Sequence, residues 1–200
     1  MKILAFAGAL RANSISKQVL QEAIRLLAVH HELKVDYADL KEYPFPVYDT
    51  DIEESVGIPP SITALAARVQ EANALIIASP EYNGGISSVL KTVVDWLSRV
   101  KTKPLTGKFL LLLTASPSGS GGVLGLAHTR VPFDALGVHV FPKMVAIPRS
   151  QSAFDAQGRL TDEKAAQKLR EALDAFVVHV SAHHPKTLER YESVARVSAD

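Results

Sequence analysis

The sequence predicts an α/β domain built on a doubly wound parallel sheet of five strands, with helices on both faces. Five short apolar runs alternate along the chain with stretches whose apolar residues recur at helical spacing. The runs are continuously apolar, which indicates strands that are covered on both faces. Right-handed crossovers through the intervening helices then make neighbouring strands parallel.

The five predicted strands are rich in aliphatic residues. The most apolar stretch, residues 109–115, is far too short to cross a bilayer, since a spanning helix needs about 20 apolar residues. One lysine precedes the first run and no small-residue cleavage site follows it, so we interpret that run as a strand and not as a signal peptide. The predicted strands are residues 3–8, 33–37, 74–79, 108–116 and 138–147.

Helices are predicted where apolar residues repeat every three or four positions. Residues 86–100 give the clearest stripe, and residues 122–135 give a fourth helix that Pro132 should kink or end. The last helix should begin after Thr161 as its N-cap. Three further stripes are Leu20, Ala23, Ile24 and Leu27; Ile62, Leu65, Ala66 and Val69; and Ala165, Leu169, Leu173, Phe176, Val177 and Val180.

Length and composition limit the class of protein. The chain has 200 residues, and we expect one domain over residues 1–184, a surface loop at 43–60 and a C-terminal tail at 185–200. The absence of cysteine excludes disulfides and thiolate nucleophiles and fits a reducing cytoplasm. A net charge of +1 with scattered basic residues gives no reason to expect a nucleic-acid partner.

Three polar loops follow predicted strands, at residues 8–16, 80–85 and 116–122. In open parallel sheets, ligands bind beyond the carboxyl ends of the strands. The three loops are therefore predicted to form one shared site.

The first loop, "GALRANSIS", carries donors that suit a phosphate. Arg11 offers a fork of N–H groups, Asn13, Ser14 and Ser16 offer further donors, and the following helix begins with free backbone N–H groups. The alternative is an ordinary N-cap beside a solvated arginine.

The other two loops suit a flat ligand. Backbone N–H groups near Asn83 and Gly84 could point at a ligand edge, with Tyr82 beside it. The glycines of "SPSGSGG" permit close approach, although a flexible loop would look the same. Taken alone, Glu81 predicts a solvated carboxylate and Tyr82 a packing residue.

Together these segments resemble the NADPH-dependent FMN reductases, a group that includes the flavodoxin-fold quinone, chromate and azo-dye reductases. "GALRANSIS" is similar to the family's phosphate loop, "SPEYNGGISSVLKTVVDWLSR" to its P-E-Y-N signature, and "SPSGSGG" to its glycine-rich loop. The resemblance extends to about residue 147. It implies a flavodoxin-like sheet with strand order 2-1-3-4-5.

The resemblance also implies a role for each position that matches the motifs, with no catalytic side chain and no metal. The FMN phosphate would be held by Arg11, Ser14 and Ser16. The isoalloxazine would be lined by Pro80, Glu81, Tyr82, Asn83 and Gly84. Its pyrimidine side would contact Ser116 and Gly119.

The implied reaction is electron transfer from NADPH or NADH, through FMN, to a small-molecule acceptor by a ping-pong mechanism. Quinones, azo dyes, metal oxyanions and free flavin remain open as acceptors. The family forms dimers or dimers of dimers, which implies a homodimer or homotetramer through helix 86–100, with Lys91, Asp95 and Trp96 near the contact.

Two features keep other functions open. Ala9 replaces a serine of the phosphate loop and Thr92 replaces an asparagine of the signature, which keeps a cofactor-free regulatory homologue possible. A flavodoxin-type electron carrier is the other alternative, but such carriers are usually strongly acidic. His179 and His183 have metal-ligand spacing without a helping carboxylate, and His128 could either approach the substrate or lie on a helix surface.

Overall fold

The core of the protein is a parallel sheet with strand order β2-β1-β3-β6-β7 in a computed structural model that describes residues 1–183. Two of the eight strands, β4 and β5, form a separate hairpin, so this order is the predicted 2-1-3-4-5. The strands are β1 (Lys2–Ala7), β2 (Lys34–Ala38), β3 (Ala74–Ala78), β4 (Glu81–Tyr82), β5 (Gly85–Ile86), β6 (Phe109–Ala115), β7 (His139–Val140) and β8 (Val145–Ile147).

Helices cover both faces of the sheet, as the sequence predicts. One face packs against α1 and α6, and the other against α3, α4 and α5. The predicted tail, residues 185–200, lies outside the described residues. The helices are α1 (Ile15–Leu27), α2 (Thr50–Val56), α3 (Pro60–Glu71), α4 (Ser88–Arg99), α5 (Val123–Ala135) and α6 (Glu163–Ala182).

The central strands β1, β3 and β6 contribute side chains to two hydrophobic cores, one on each face of the sheet. In β1, Ile3 and Ala5 belong to the core under α1 and α6, whereas Leu4 and Phe6 belong to the core under α3, α4 and α5. Successive side chains of a strand point to opposite faces, so a continuously apolar strand is what a doubly covered sheet requires. All four side chains are almost completely buried.

The predicted fifth strand is divided in two. β7 pairs with the start of β6 and β8 pairs with its end, both in parallel. Pro142 lies in the interruption, and it cannot donate a backbone hydrogen bond to a ladder. The single strand expected over residues 138–147 was therefore wrong in continuity but right in position.

Three predicted helix boundaries need correction. α4 begins at Ser88, because the Ser87 hydroxyl accepts a hydrogen bond from the Leu90 amide and caps the helix. α6 is capped by Asp162 and not by Thr161, since the Asp162 carboxylate accepts from the Ala165 amide. Pro132 lies inside α5 without ending it.

The segment 43–60 is not entirely loop. It contains α2, whose N-cap is Asp49, and it is fastened to α4 by Trp96. The Trp96 indole N–H donates to the Pro46 carbonyl at 2.9 Å and the ring packs edge-on against Tyr48. Trp96 is fully buried within the chain, and the expectation that it lies near a subunit contact stays a prediction.

At the sheet edge, a partly buried ion pair joins β2 to α3. The Arg68 guanidinium donates to both carboxylate oxygens of Asp36, at 2.6 and 3.1 Å, and also to the Tyr37 carbonyl. The hydrogen bonds from Arg68 hold the pKa of Asp36 below its ordinary value, against the opposing effect of burial. The carboxylate therefore stabilises the fold as long as it is ionised.

We expect Asp36→Asn to lower the free energy of unfolding by about 1 kcal/mol at pH 7, because the paired charge is lost. A lowered pKa stabilises the fold above the ordinary carboxyl pKa and ceases to do so as the pH falls through the lowered value. The difference between variant and wild type should therefore begin to shrink below about pH 4 and disappear once the pH is below the lowered pKa. Urea denaturation from pH 3 to 8 measures it, with the exposed Glu54→Gln as control. A difference in unfolding free energy that does not change with pH would contradict a role for the ion pair.

Among residues 1–183, none of the helices is both long and apolar enough to cross a membrane.

Candidate active site

A cavity of about 420 Å³ lies where β1, β3 and β6 end, between the three polar loops. Its volume falls in the range of small-molecule and cofactor sites. The first loop and the start of α1 form one end, and the segments after β3 and β6 form the other. The lining residues are Gly8, Ala9, Leu10, Arg11, Ser14, Ile15, Ser16, Pro80, Glu81, Tyr82, Ser88, Val89, Ala115, Ser116 and Pro117.

The α1 end of the cavity suits an anion. Ser14 is the N-cap of α1 but makes no side-chain capping bond, and no acidic residue occupies the first turn. The unsatisfied N–H groups and the helix dipole therefore favour a negative group at this point. The exposed Arg11 stands beside them, with its guanidinium donating to the Asn13 carbonyl at 2.8 Å.

The second loop is a β-hairpin with a two-residue turn. β4 and β5 pair in antiparallel register, and the turn residues Asn83 and Gly84 have φ values of 51° and 73°. Two positive φ values are typical of a type I′ turn, for which Asn-Gly is the preferred sequence. The Asn-Gly pair could thus have predicted a hairpin from the sequence, where we predicted only a loop.

The hairpin is tied to the start of α5 through Glu81. The Glu81 carboxylate accepts a hydrogen bond from the Gly125 amide at 2.6 Å, and it supplies the capping group that Gly122, at the N-cap, lacks. A β-carbon on Gly125 would lie 2.6 Å from Cγ of Glu81, so the contact requires glycine. The expectation that Glu81 is a solvated carboxylate is therefore wrong.

The third loop is held by backbone hydrogen bonds from the segment that follows β8. The Ser116 carbonyl accepts from the Ser150 amide and the Ser118 carbonyl accepts from the Arg149 amide, both at 3.1 Å. Within the loop, the Ser116 hydroxyl accepts from the Ser118 amide at 3.3 Å. Sequence reasoning missed the segment after β8 because nothing in its composition marks a contact with a loop some 30 residues earlier.

The structure brings most of the predicted binding residues together. Asn83, Gly84 and Gly119 do not line the cavity: the first two form the hairpin turn, and Gly119 is exposed on the third loop. Tyr82 is 64% exposed, so the packing role inferred for it in isolation is wrong. The predicted residues that do line the cavity are Arg11, Ser14, Ser16, Pro80, Glu81, Tyr82 and Ser116.

The donor set fits FMN. The uncapped N-terminus of α1 and Arg11 suit a phosphate, and the partly apolar lining after β3 and β6 suits a planar ring. Ala9 lines the cavity without offering a hydroxyl, which reduces the number of phosphate donors by one.

Comparison with known proteins shows the family. The family model for NADPH-dependent FMN reductases matches residues 1–152. An NAD(P)H-dependent FMN reductase of Pseudomonas aeruginosa is 36% identical over 181 residues, which is 90% of this chain and 95% of the relative. A quinone reductase of Escherichia coli is 30% identical over 182 residues, covering 88% of this chain and 93% of the relative.

Solved structures show the same fold. The flavoenzyme FerB of Paracoccus denitrificans, an NAD(P)H:(acceptor) oxidoreductase, superposes with a TM-score of 0.78 at 24% identity, covering 91% of this chain and 98% of FerB. The chain belongs to the NADPH-dependent FMN reductase family. It is an NAD(P)H-dependent oxidoreductase with FMN as its cofactor.

The two histidines with metal-ligand spacing lie away from the cavity. His179 and His183 pack against each other and against Phe109, on the sheet face covered by α6. Burial holds the pKa of His179 below its ordinary value. Within residues 1–183, no cluster of three or more histidine, cysteine or acidic residues could hold a metal ion.

We expect Gly125→Ala to destabilise the protein by about 1–3 kcal/mol, because the new methyl group would collide with Glu81 and displace the hairpin. Helix propensity alone predicts the opposite sign, since alanine is the better helix former. Denaturant unfolding measures the change, and Gly119→Ala is the control because a β-carbon there meets no atom within 4 Å. A stabilised Gly125→Ala variant would contradict the close contact.

Proposed function

We propose that this chain is an FMN-dependent NAD(P)H:quinone reductase in which the three loops at the sheet edge hold the flavin. The observation that supports this most is one cavity with an uncapped helix N-terminus and Arg11 at one end and a hairpin of fixed shape at the other. The FMN phosphate would bind at the α1 end, with Arg11, Ser14 and Ser16 as partners.

The isoalloxazine would lie between the second and third loops. Pro80, Glu81 and Tyr82 would form one wall, with Ser116 facing the pyrimidine side. Main-chain N–H groups of the Asn83–Gly84 turn would lie at the ring edge, and the Gly119 backbone would close the outer side. These roles are carried over from the family resemblance and agree with the position of the loops.

FMN, when bound, supplies the redox chemistry by accepting a hydride from the nicotinamide and releasing electrons to a second substrate. The chain's own residues bind and orient: the α1 N-terminus and Arg11 fix the phosphate, and backbone donors stabilise negative charge at the ring edge. Because one shallow cavity serves both substrates, they must bind in turn, which gives ping-pong kinetics.

The cavity walls favour an uncharged planar acceptor. Leu10 and Tyr82 line the cavity and are 44% and 64% exposed, so they offer apolar surface at its mouth. The only charged lining residues within 1–183 are Arg11 and Glu81, and Glu81 is already bonded to Gly125. A quinone therefore suits the site better than a metal oxyanion, which needs free cations.

Steady-state kinetics of the FMN-loaded protein with NADPH or NADH and a benzoquinone should give parallel double-reciprocal lines. Quinone turnover should exceed chromate turnover under the same conditions. Intersecting lines would contradict the ping-pong order. Flavin-loaded protein that does not oxidise either nucleotide would favour an electron carrier, and protein that takes up no FMN would favour a cofactor-free homologue.

Arg11→Gln should weaken FMN binding roughly tenfold to a hundredfold, because a charge-assisted contact with the phosphate is lost. Riboflavin, which lacks the phosphate, should bind both proteins equally. Fluorescence titration measures both affinities. Arg170→Gln, at an exposed position of α6, is the matched control. If Arg11→Gln weakened the binding of FMN and of riboflavin equally, the phosphate would not contact Arg11.

We propose a homodimer or homotetramer that uses α4. On the outer side of this helix, Lys91 and Asp95 form an ion pair at 2.7 Å. The neighbouring segment, which packs against the helix through Tyr48, carries Val47 and Val56, which are 76% and 79% exposed.

Sedimentation should give two or four times the 21.6 kDa of one chain. Lys91→Glu should shift the population toward monomer, because it replaces an ion pair with like charges; a monomeric wild type would contradict the proposal.

A cytoplasmic location also remains our proposal, which rests on the absence of cysteine and on the use of reduced nicotinamide. Subcellular fractionation of the native host tests it.

A further inference from the structure

The flavin-facing hairpin is held by two hydrogen bonds from the same helix. Glu81, at its first strand, accepts from the Gly125 amide. On the far side of the turn, the Gly84 carbonyl lies 2.6 Å from Nδ1 of His128. Gly125 and His128 are three positions apart and therefore share one face of α5.

The chemistry of the second contact assigns a proton. A carbonyl oxygen only accepts, so Nδ1 of His128 must carry the hydrogen and donate it to Gly84. The neutral ring is consequently the tautomer with Nε2 unprotonated. His128 is exposed and does not line the cavity, so it does not reach a ligand bound there.

The hairpin needs such support because it is very short. Its strands have two residues each and pair with no other strand in the described part of the chain. Isolated two-stranded hairpins are marginal in water even when longer. Leu124, on the same helix, packs closely against the turn. A β-carbon on Gly84 would lie 2.9 Å from Cδ2 of Leu124.

We propose that His128 is a positioning residue for flavin binding. By donating from Nδ1 to the Gly84 carbonyl, it holds the Asn83–Gly84 turn against α5 and so fixes the direction of the turn's main-chain N–H groups. The inference rests on the proposed placement of the isoalloxazine against this hairpin. It replaces the expectation that His128 either approaches the substrate or has a purely surface role.

Two variants separate the donor from the rest of the side chain. His128→Ala removes the hydrogen bond, whereas His128→Asn keeps an N–H donor on the atom next to Cγ, where Nδ1 was. His31→Ala is the matched control, since His31 is an exposed histidine at the other side of the fold, after α1. All three changes are on the surface, so folded protein should be obtained in each case.

The first measurement needs no flavin. In FMN-free protein, hydrogen–deuterium exchange of the peptide covering residues 81–86 should be at least threefold faster in His128→Ala than in wild type. His128→Asn should restore most of the protection, and His31→Ala should leave it unchanged. Unchanged exchange in His128→Ala would overturn the proposal, whatever the protein's reaction.

The second measurement is the FMN dissociation constant. His128→Ala should raise it roughly three- to tenfold, as expected for one lost hydrogen bond, and His128→Asn should stay within about twofold of wild type. Equal weakening by alanine and asparagine would show that the donor is not what matters and would overturn the proposal. Faster exchange in His128→Ala with unaltered FMN binding would support the hydrogen bond to Gly84 but refute its role in flavin binding. A wild-type protein that binds no FMN would refute the proposed function instead.

Discussion

The parallel register of β1, β3 and β6 is the constraint on which the site depends. These strands are neighbours in the sheet, and because they run in the same direction their carboxyl ends share one edge. The loops that follow them are far apart in sequence, yet this edge brings them within one cavity. The buried aliphatic side chains of these strands therefore hold the three loops at the edge where the cavity lies.

Helix α5 gives this edge its shape. The hairpin between β3 and α4 is too short to be stable alone, and its geometry depends on contacts with Gly125, Leu124 and His128. The glycine-rich loop leads directly into the same helix, so a single element connects the second and third loops. In the proposed placement of the flavin, backbone N–H groups held by such contacts would supply donors at the ring edge.

The fold and the cavity between the three loops were predictable because they follow from hydrophobic periodicity and from loops at strand ends. Details that depend on tertiary contacts were not. The carboxylate of Glu81 bonds to an amide 44 residues away, and nothing local to the motif indicates that partner. Likewise, the hydrogen bond from the Trp96 indole to the Pro46 carbonyl joins residues 50 positions apart, and the break at Pro142 depends on β6 pairing with two short strands.

The central claim is that the flavin phosphate lies at the N-terminus of α1 and the ring against the hairpin. A crystal structure of the protein grown with FMN tests it most directly. We predict phosphate oxygens within hydrogen-bond distance of the α1 amides and of Arg11, and the isoalloxazine edge facing the turn at Asn83 and Gly84. A flavin bound outside this cavity, or one with its phosphate at the hairpin, would contradict the account.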